Sequence, residues 1–205
     1  MLFHLLYGLG ADYQAKPQMA AGHEILDDGK RWVITLRPGL KFHDGEPVRS
    51  RDVVASLTRW MPRDPMGQLL RALNEELVAV DDRTFRWRLK APFTKMQMAL
   101  GKNATPMAFI MPERIARTDP FTQINEYVGS GPFRFMRDEW VPGAKAVFQK
   151  FVDGWLEGVT VSRAKPDLAV EALVATEPFF KELAAKLEAI DAAERRWLAL
   201  RYAIG

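Results

Sequence analysis

Two short segments of this chain hold side chains that could do chemistry, and each also has a plain structural interpretation. His43-Asp44-Gly45 places an imidazole beside a carboxylate, the pair that general acid–base catalysis uses. Neighbouring residues on a turn rarely point at one atom, however, and no nucleophile pattern lies near them. We therefore expect a turn that fixes a strand-to-helix crossing, in which Gly45 takes an unusual backbone angle and Asp44 bonds local amides.

The run Gly129-Ser130-Gly131-Pro132 could belong to a phosphate loop or carry a serine nucleophile. A phosphate loop ends in Gly-Lys-Ser or Gly-Lys-Thr, and that ending is absent here. A serine elbow needs Gly-x-Ser-x-Gly between a strand and a helix, whereas the strand-like Phe133-Arg134-Phe135 follows Pro132. A hydrolytic enzyme stays a third hypothesis only, and we assign no catalytic residue.

Composition narrows the remaining classes of function. The three histidines, His4, His23 and His43, share no spacing typical of a metal site, so we expect neither a metal nor a cofactor. The chain has no cysteine, which excludes disulfides, thiolate ligands and cysteine nucleophiles. A net charge of +3 over 205 residues, without a basic run, gives no indication of a nucleic-acid partner.

Alternating apolar side chains predict two strands, each with one buried face, at Trp32–Leu36 and Phe85–Leu89. Each strand follows an aspartate-rich turn, Asp27-Asp28-Gly29 in the first case and Asp81-Asp82-Arg83 in the second. The polar positions of the second strand are nearly all cationic, so we expect that face to meet solvent.

The helical pattern is clearest between the two strands. It predicts a helix that begins with Ser50 as its N-cap and presents Val53, Leu57 and Trp60 on one face. A second helix is predicted from Met66 to Leu77. In the segment 105–119 we expect a buried strand followed by a helical turn from Pro112 to Arg117.

The stretch from Leu36 to Trp60, which contains Arg37-Pro38-Gly39 and Lys41-Phe42-His43-Asp44-Gly45, resembles the signature of a known family. The family is that of the extracytoplasmic solute-binding proteins of ABC transporters, family 5, the dipeptide, oligopeptide and nickel type. Ser50 stands where the family usually has alanine. Further matching runs follow in the family's order: Val80-Asp81-Asp82, Lys90-Ala91-Pro92-Phe93, Ile110-Met111-Pro112-Glu113, and Val128-Gly129-Ser130-Gly131-Pro132-Phe133.

The resemblance implies an α/β fold, a periplasmic-binding-protein-like (type II) lobe with a mixed sheet and helices. It covers roughly Leu5 to Phe151, so we assign residues 1–151 to an incomplete first lobe. We expect residues 152–205 to be a helical tail unlike the family. The implied function is that of the substrate-binding component of an ABC transporter, which captures a peptide-like small solute and delivers it to an inner-membrane ABC permease.

The resemblance also implies which residues lie near the solute. They are Tyr7, Gly8, Gly129, Ser130, Gly131, Pro132 and Phe133. Glycine would let a ligand approach the main chain, and tyrosine offers an apolar face with a hydroxyl. For Tyr7 a position in the core, and for the glycine segment a plain turn, stay open as alternatives.

Location within the cell follows from the resemblance rather than from the chain itself. Family members are periplasmic, but the apolar start from Met1 to Leu9 lacks the positive charge of a signal peptide. As written, the chain would stay in the cytoplasm. No apolar run approaches the ~20 residues that cross a bilayer.

The composition changes after Phe151, where the chain becomes rich in alanine and helical in pattern. Apolar residues then recur at helical spacing: Phe180, Leu183, Leu187, Ile190 and Trp197. Such a stripe needs a surface to cover. The alternative function is therefore a non-binding structural or interaction protein, in which a degenerate lobe carries a helical tail that self-associates.

If the stripe covers a second copy of the chain, sedimentation will show a dimer that dissociates on dilution, since apolar burial drives association. A monomer whose tail resists proteolysis would count against self-association, because the tail would then be covered within its own chain.

Overall fold

The structure is a computed structural model, and it describes residues 2–10, 12–104 and 106–151. The predicted tail and its apolar stripe lie outside these residues. Eight strands run in chain order: β1 Tyr7–Leu9, β2 Ala15–Pro17, β3 Ala20–Leu26, β4 Arg31–Leu36, β5 Asn74–Ala79, β6 Thr84–Leu89, β7 Phe133–Phe135 and β8 Phe148–Lys150. The helices are α1 Ser50–Trp60, α2 Pro65–Leu73, α3 Met96–Gly101 and α4 Glu113–Ala116. No helix among the described residues is long and apolar enough to cross a membrane.

A four-stranded sheet in the order β3-β4-β6-β5 organises this part of the chain, and its strand pairs are antiparallel. Two small hairpins, β1 with β2 and β7 with β8, complete the strand pairing. Both predicted strands are confirmed at the centre of the sheet, where Trp32 faces Trp87 and Ile34 faces Phe85 across β4 and β6. All four side chains are buried, so this face forms the core.

The aspartate turns before the two central strands are also confirmed. Asp27 and Asp28 both take a positive φ of 52°, a conformation that aspartate tolerates better than most residues. In the second turn the Asp81 carboxylate accepts from the backbone N–H groups of Arg83 and Thr84 at 2.8 and 2.7 Å. The second turn therefore satisfies backbone N–H groups of its own before the strand begins.

Helix α1 covers the core with the face that the sequence predicts, since Val53, Leu57 and Trp60 are buried. The predicted cap is wrong by one residue. Arg49 is the N-cap, and its N–H donates to the Asp52 carboxylate at 2.7 Å. Ser50 is already helical, and its hydroxyl donates to a backbone carbonyl of the turn before β6.

The second helix ends earlier than predicted. It stops at Leu73, and the residues after it form β5, in which Leu77 pairs with Trp87. Asn74 marks the change, because its side-chain oxygen accepts the indole N–H of Trp87 at 2.7 Å. Strand pairing that completes the sheet thus overrides a local pattern that favours helix.

The cationic face of β6 is partly exposed, as expected, but its charges are paired. Arg86 lies 2.9 Å from Glu76, and Arg88 lies 3.1 Å from Glu75, both on the neighbouring strand β5. Half-exposed cross-strand pairs of this kind contribute modestly to stability, and they leave this face without a concentrated positive charge.

The segment 106–132 has little regular structure. The strand predicted within residues 105–119 is reduced to a single bridge between Ile110 and His4, while the predicted helical turn is confirmed as α4. A buried polar stripe of α1 binds this segment instead. Asp52 accepts the Glu113 N–H at 2.8 Å, and Ser56 bonds both backbone groups of Met111 at 3.0 and 3.1 Å.

Arg59 continues the same stripe one turn further along α1. Its buried guanidinium donates to the carbonyls of Thr118, of Asp119 at 2.7 Å and of Thr122 at 2.8 Å. Side chains spaced four and three apart on a helix lie on one face. Asp52, Ser56 and Arg59 therefore act together as a backbone-binding stripe, which the apolar pattern of α1 does not reveal.

The N-terminal segment packs directly on the glycine segment near residue 130. The Gly131 N–H donates to the Leu2 carbonyl at 2.9 Å. A Cβ atom at Gly129 would lie 2.2 Å from the Leu2 oxygen and 2.9 Å from the Phe3 ring. Glycine at 129 is thus required by the chain's own N-terminal segment.

Replacing Ile34 by alanine should lower the free energy of unfolding by about 2–5 kcal/mol, because it opens a cavity on the fully buried face. The neighbouring Val33 lies on the opposite, half-buried face of the same strand. Val33→Ala should lower that free energy by at most about 1 kcal/mol. Urea denaturation of both variants measures the difference, and equal losses would contradict the assigned faces.

Gly129→Ala should lower the free energy of unfolding by about 1–3 kcal/mol, since backbone rather than a flexible side chain meets the added methyl. Gly22 is the matched control, because a Cβ there meets nothing within 4 Å. Gly22→Ala should cause no loss. Thermal melts of the two variants would contradict this packing if Gly129→Ala were as stable as Gly22→Ala.

Candidate functional site

The seven predicted site residues fall into two groups in the structure. Tyr7 and Gly8 lie in β1, and residues 129–133 comprise a loop together with the first residue of β7, Phe133. We call residues 129–133 the glycine loop. The N-terminal segment connects the two groups, since its Leu2 carbonyl accepts the N–H of Gly131.

Tyr7 occupies the core rather than the surface. Its side chain is fully buried, and its hydroxyl lies 3.2 Å from Nδ1 of His23, whose ring stacks on Trp32. Burial raises the pKa of the Tyr7 hydroxyl, which stays protonated as a hydrogen-bonding group. Within the described residues Tyr7 therefore serves packing, and Gly8 beside it is only partly buried.

The glycine loop is sealed at one end and open at the other. Gly129, Ser130 and Gly131 are buried, whereas Pro132 and Phe133 are partly exposed. The Ser130 hydroxyl finds no hydrogen-bond partner among the described residues, so no base there activates it as a nucleophile. Any contact between this loop and a solute would have to come from the Pro132–Phe133 end or from a rearranged loop.

His43 makes contacts with the glycine loop that the sequence did not predict. The turn prediction itself is confirmed, since Gly45 has a φ of 89° and the Asp44 carboxylate accepts the Glu46 N–H at 3.1 Å. In addition, the His43 ring inserts against the glycine loop. Its Nε2 lies 2.8 Å from the Gly131 carbonyl, and the Gly129 N–H lies 3.3 Å from its Nδ1.

The turn that carries His43 is also bound by a residue of α4. Arg114 of α4 donates to the Asp44 carboxylate at 2.8 Å and also to Glu126. These hydrogen bonds raise the pKa of the Arg114 guanidinium, which remains charged. The turn is thus joined to α4 and to the chain that enters the glycine loop.

A cavity of about 350 Å³ opens beside this junction. It is lined by the turn residues His43 and Asp44, by the entering segment 125–128, and by Arg134, Phe135 and Arg137. Two larger cavities, of about 590 and 740 Å³, are both lined in part by Arg59 and Phe121. None of these three cavities is lined by any of the seven predicted residues, so cavity volume does not point to the predicted site.

Catalytic and metal chemistry find little support in the geometry. Among the described residues no group of three or more histidines and carboxylates could hold a metal ion. His4 lies near His43, and burial lowers the pKa of His4 to about 4. The two imidazoles are therefore neutral neighbours near pH 7 rather than a charged pair.

Comparison with known proteins identifies the protein family to which this chain is similar. Residues 14–175 match the family model of the bacterial extracellular solute-binding proteins, family 5 Middle. The match runs past Phe151, so the boundary predicted there stays a prediction. The probable peptide ABC transporter periplasmic-binding protein y4tO of Sinorhizobium fredii is 36% identical over 169 residues, which are 78% of this chain and 31% of that protein.

Two solved structures show the same fold. One is the periplasmic binding protein AgaA of A. tumefaciens R10 in complex with agropinic acid, with 30% identity and a TM-score of 0.58 over 80% of this chain and 32% of that one. The other is DppA of Helicobacter pylori in complex with the peptide STSA, with 22% identity and a TM-score of 0.61 over 75% and 34%.

These matches confirm the expected α/β lobe of the periplasmic-binding-protein type. The chain spans about a third of the length of the relatives it matches. The family match nevertheless covers well over half of the chain. The chain belongs to the bacterial extracellular solute-binding proteins of family 5.

Proposed function

We propose that this chain is part of the substrate-binding component of an ABC transporter for peptides or similar small solutes. The observation that carries the proposal is the family match over residues 14–175, together with a relative named as a probable peptide ABC transporter periplasmic-binding protein. In this function the protein captures a solute and delivers it to an inner-membrane ABC permease. It makes and breaks no covalent bond.

The proposed place of action is the periplasm, where the named relatives bind their solutes. Binding proteins of this kind close two lobes about a hinge, and closure buries the solute and displaces water. Since the chain spans about a third of its relatives' length, it supplies one part of such an enclosure. The permease and the enclosed solute belong to the protein as a whole.

The glycine loop is the proposed contact with the solute. Its Pro132 and Phe133 are partly exposed, and the cavity beside it is lined by Arg134 and Arg137. A partly exposed aromatic ring offers an apolar surface, and guanidinium groups bind carboxylates such as a peptide C-terminus. Tyr7 is buried in the core, where its hydroxyl is already engaged with His23.

The chain alone should bind peptides only weakly, because an enclosure that lacks most of its walls leaves most of the ligand in water. Titration calorimetry with di- to pentapeptides should give no Kd below about 1 mM. Amide shifts measured by NMR at higher peptide concentration should then change first in residues 129–135. Sub-millimolar binding would contradict the claim that the solute needs the rest of the protein.

The residues whose amide shifts change when peptide is added test the position of the site, independently of the affinity. Phe133→Ala removes the partly exposed ring of the loop, and Phe121→Ala removes a more exposed ring that lies outside it. Only the first variant should weaken the peptide-induced shifts. Equal effects of the two variants, or shifts confined to the cavities beside Arg59, would place the solute elsewhere and overturn this site.

A further inference from the structure

His43 forms three hydrogen bonds with the glycine loop although 86 residues separate it from Gly129 in the chain. Its own N–H donates to the Gly129 carbonyl at 2.8 Å. Its ring Nδ1 lies 3.3 Å from the Gly129 N–H, and its ring Nε2 lies 2.8 Å from the Gly131 carbonyl. One residue therefore binds both ends of the Gly-Ser-Gly run.

The partners decide which protons the ring carries. A backbone N–H can only donate, so Nδ1 must offer a lone pair to Gly129. A backbone carbonyl can only accept, so Nε2 must carry a hydrogen toward Gly131. The neutral tautomer protonated at Nε2 satisfies both contacts. The other neutral tautomer satisfies neither, and the imidazolium ion turns an N–H of the ring against the N–H of Gly129.

The surroundings favour the neutral ring. His43 is buried, and its ring and that of Phe151 pack edge to face with 4.8 Å between centroids. Burial lowers the pKa of His43, and the positive charge of Arg134 acts in the same direction. The Gly131 carbonyl and Asp44 act in the opposite direction. His4 is also near, and burial keeps it neutral while it hydrogen-bonds the backbone of Ser130. Arg114 pairs with Asp44 and Glu126. Arg137 lines the same cavity as His43.

We propose that His43 is a positioning residue of the glycine loop: its imidazole, neutral and protonated at Nε2, holds Gly129 and Gly131 in the shape that the loop presents beside Pro132 and Phe133. This inference rests on the proposed function only in taking the loop as the contact with the solute. Protonation at Nδ1 removes the acceptor for Gly129. The loop is thus held at neutral pH and is released as the pH falls.

The direction of the pH effect follows from the lowered pKa. An ordinary histidine titrates near 6.5, and the folded chain binds the proton of His43 only at lower pH. The contribution of His43 to holding the loop is fully present above the ordinary value. It is lost as the pH falls through the lowered value in the folded state.

NMR of the isotope-labelled chain reads the tautomer directly, because long-range proton–nitrogen correlations separate a protonated ring nitrogen from a bare one. We expect a bare Nδ1 and a protonated Nε2 for His43 at pH 7. The amide shifts of Gly129 and Gly131 should titrate with the midpoint of His43 and not with that of His4. A His43 protonated at Nδ1 at pH 7, as tautomer or cation, overturns the proposal without any mutation.

Two variants separate the two ring contacts. The amide oxygen of His43→Asn replaces Nδ1 as an acceptor for Gly129, whereas the amide nitrogen of His43→Gln replaces Nε2 as a donor to Gly131. The hydrogen-exchange rate of Gly129 should rise roughly two- to tenfold in His43→Gln, the loss of one hydrogen bond, and stay near the wild-type rate in His43→Asn. Equal rates in all three chains overturn the proposal.

The same samples distinguish this inference from the proposed function. Addition of the tetrapeptide STSA should shift the amide of Phe133 at pH 7, and the shift should shrink as His43 becomes protonated. If His43 has the expected tautomer but the peptide never shifts the loop, the solute contact fails while the positioning role stands. If the peptide shifts the loop equally at every protonation state of His43, the positioning role fails.

Discussion

The structure depends on how the irregular segment 106–132 satisfies its buried backbone groups. A buried N–H or C=O without a partner costs about 1–3 kcal/mol, and this segment has no sheet to pair with. Side chains supply the partners instead. Asp52, Ser56 and Arg59 of α1 bind residues 111–122, and the Trp60 indole donates to the Pro106 carbonyl at 3.0 Å. In the glycine loop the His43 ring likewise binds a backbone group, the Gly131 carbonyl, which a neighbouring strand would bind in a sheet. One helix thus has two tasks, an apolar face for the sheet and a polar stripe for the loops.

The same constraint explains why the predicted site is built from buried residues. A loop that touches a solute must keep one shape, because ordering it on binding costs about 1–2 kcal/mol per residue in conformational entropy. Here the shape is imposed before any ligand arrives. Leu2 occupies the space that a side chain at Gly129 would fill, and the turn carrying His43 is itself held through Asp44 and Arg114. The partly exposed end of the loop, at Pro132 and Phe133, consequently follows a buried run, residues 129–131, that the chain's own contacts hold in place.

The sequence predicted those features that depend on residues close together in the chain. The strands at β4 and β6 and the apolar face of α1 follow from periods of two and 3.6, which neighbouring residues alone express. The end of α2 could not be predicted, because Leu77 fits a helical stripe as well as a strand and only its pairing with Trp87 decides. The family resemblance indicated the glycine loop, yet the reason for Gly129 and the contacts of His43 lay far along the chain. A single sequence holds no signal that joins positions 86 residues apart.

The way Arg59 holds the chain has an evolutionary consequence. Its guanidinium binds the main-chain oxygens of Asp119 and Thr122, and every amino acid carries such an oxygen. Pro120 and Phe121 between them are therefore not bound through their side chains by this arginine, and Phe121 is 73% exposed. Substitutions at these two positions can accumulate while the path of the backbone persists. Because the backbone is held through its main-chain oxygens, related proteins can change the exposed side chains of this loop while the underlying fold stays the same.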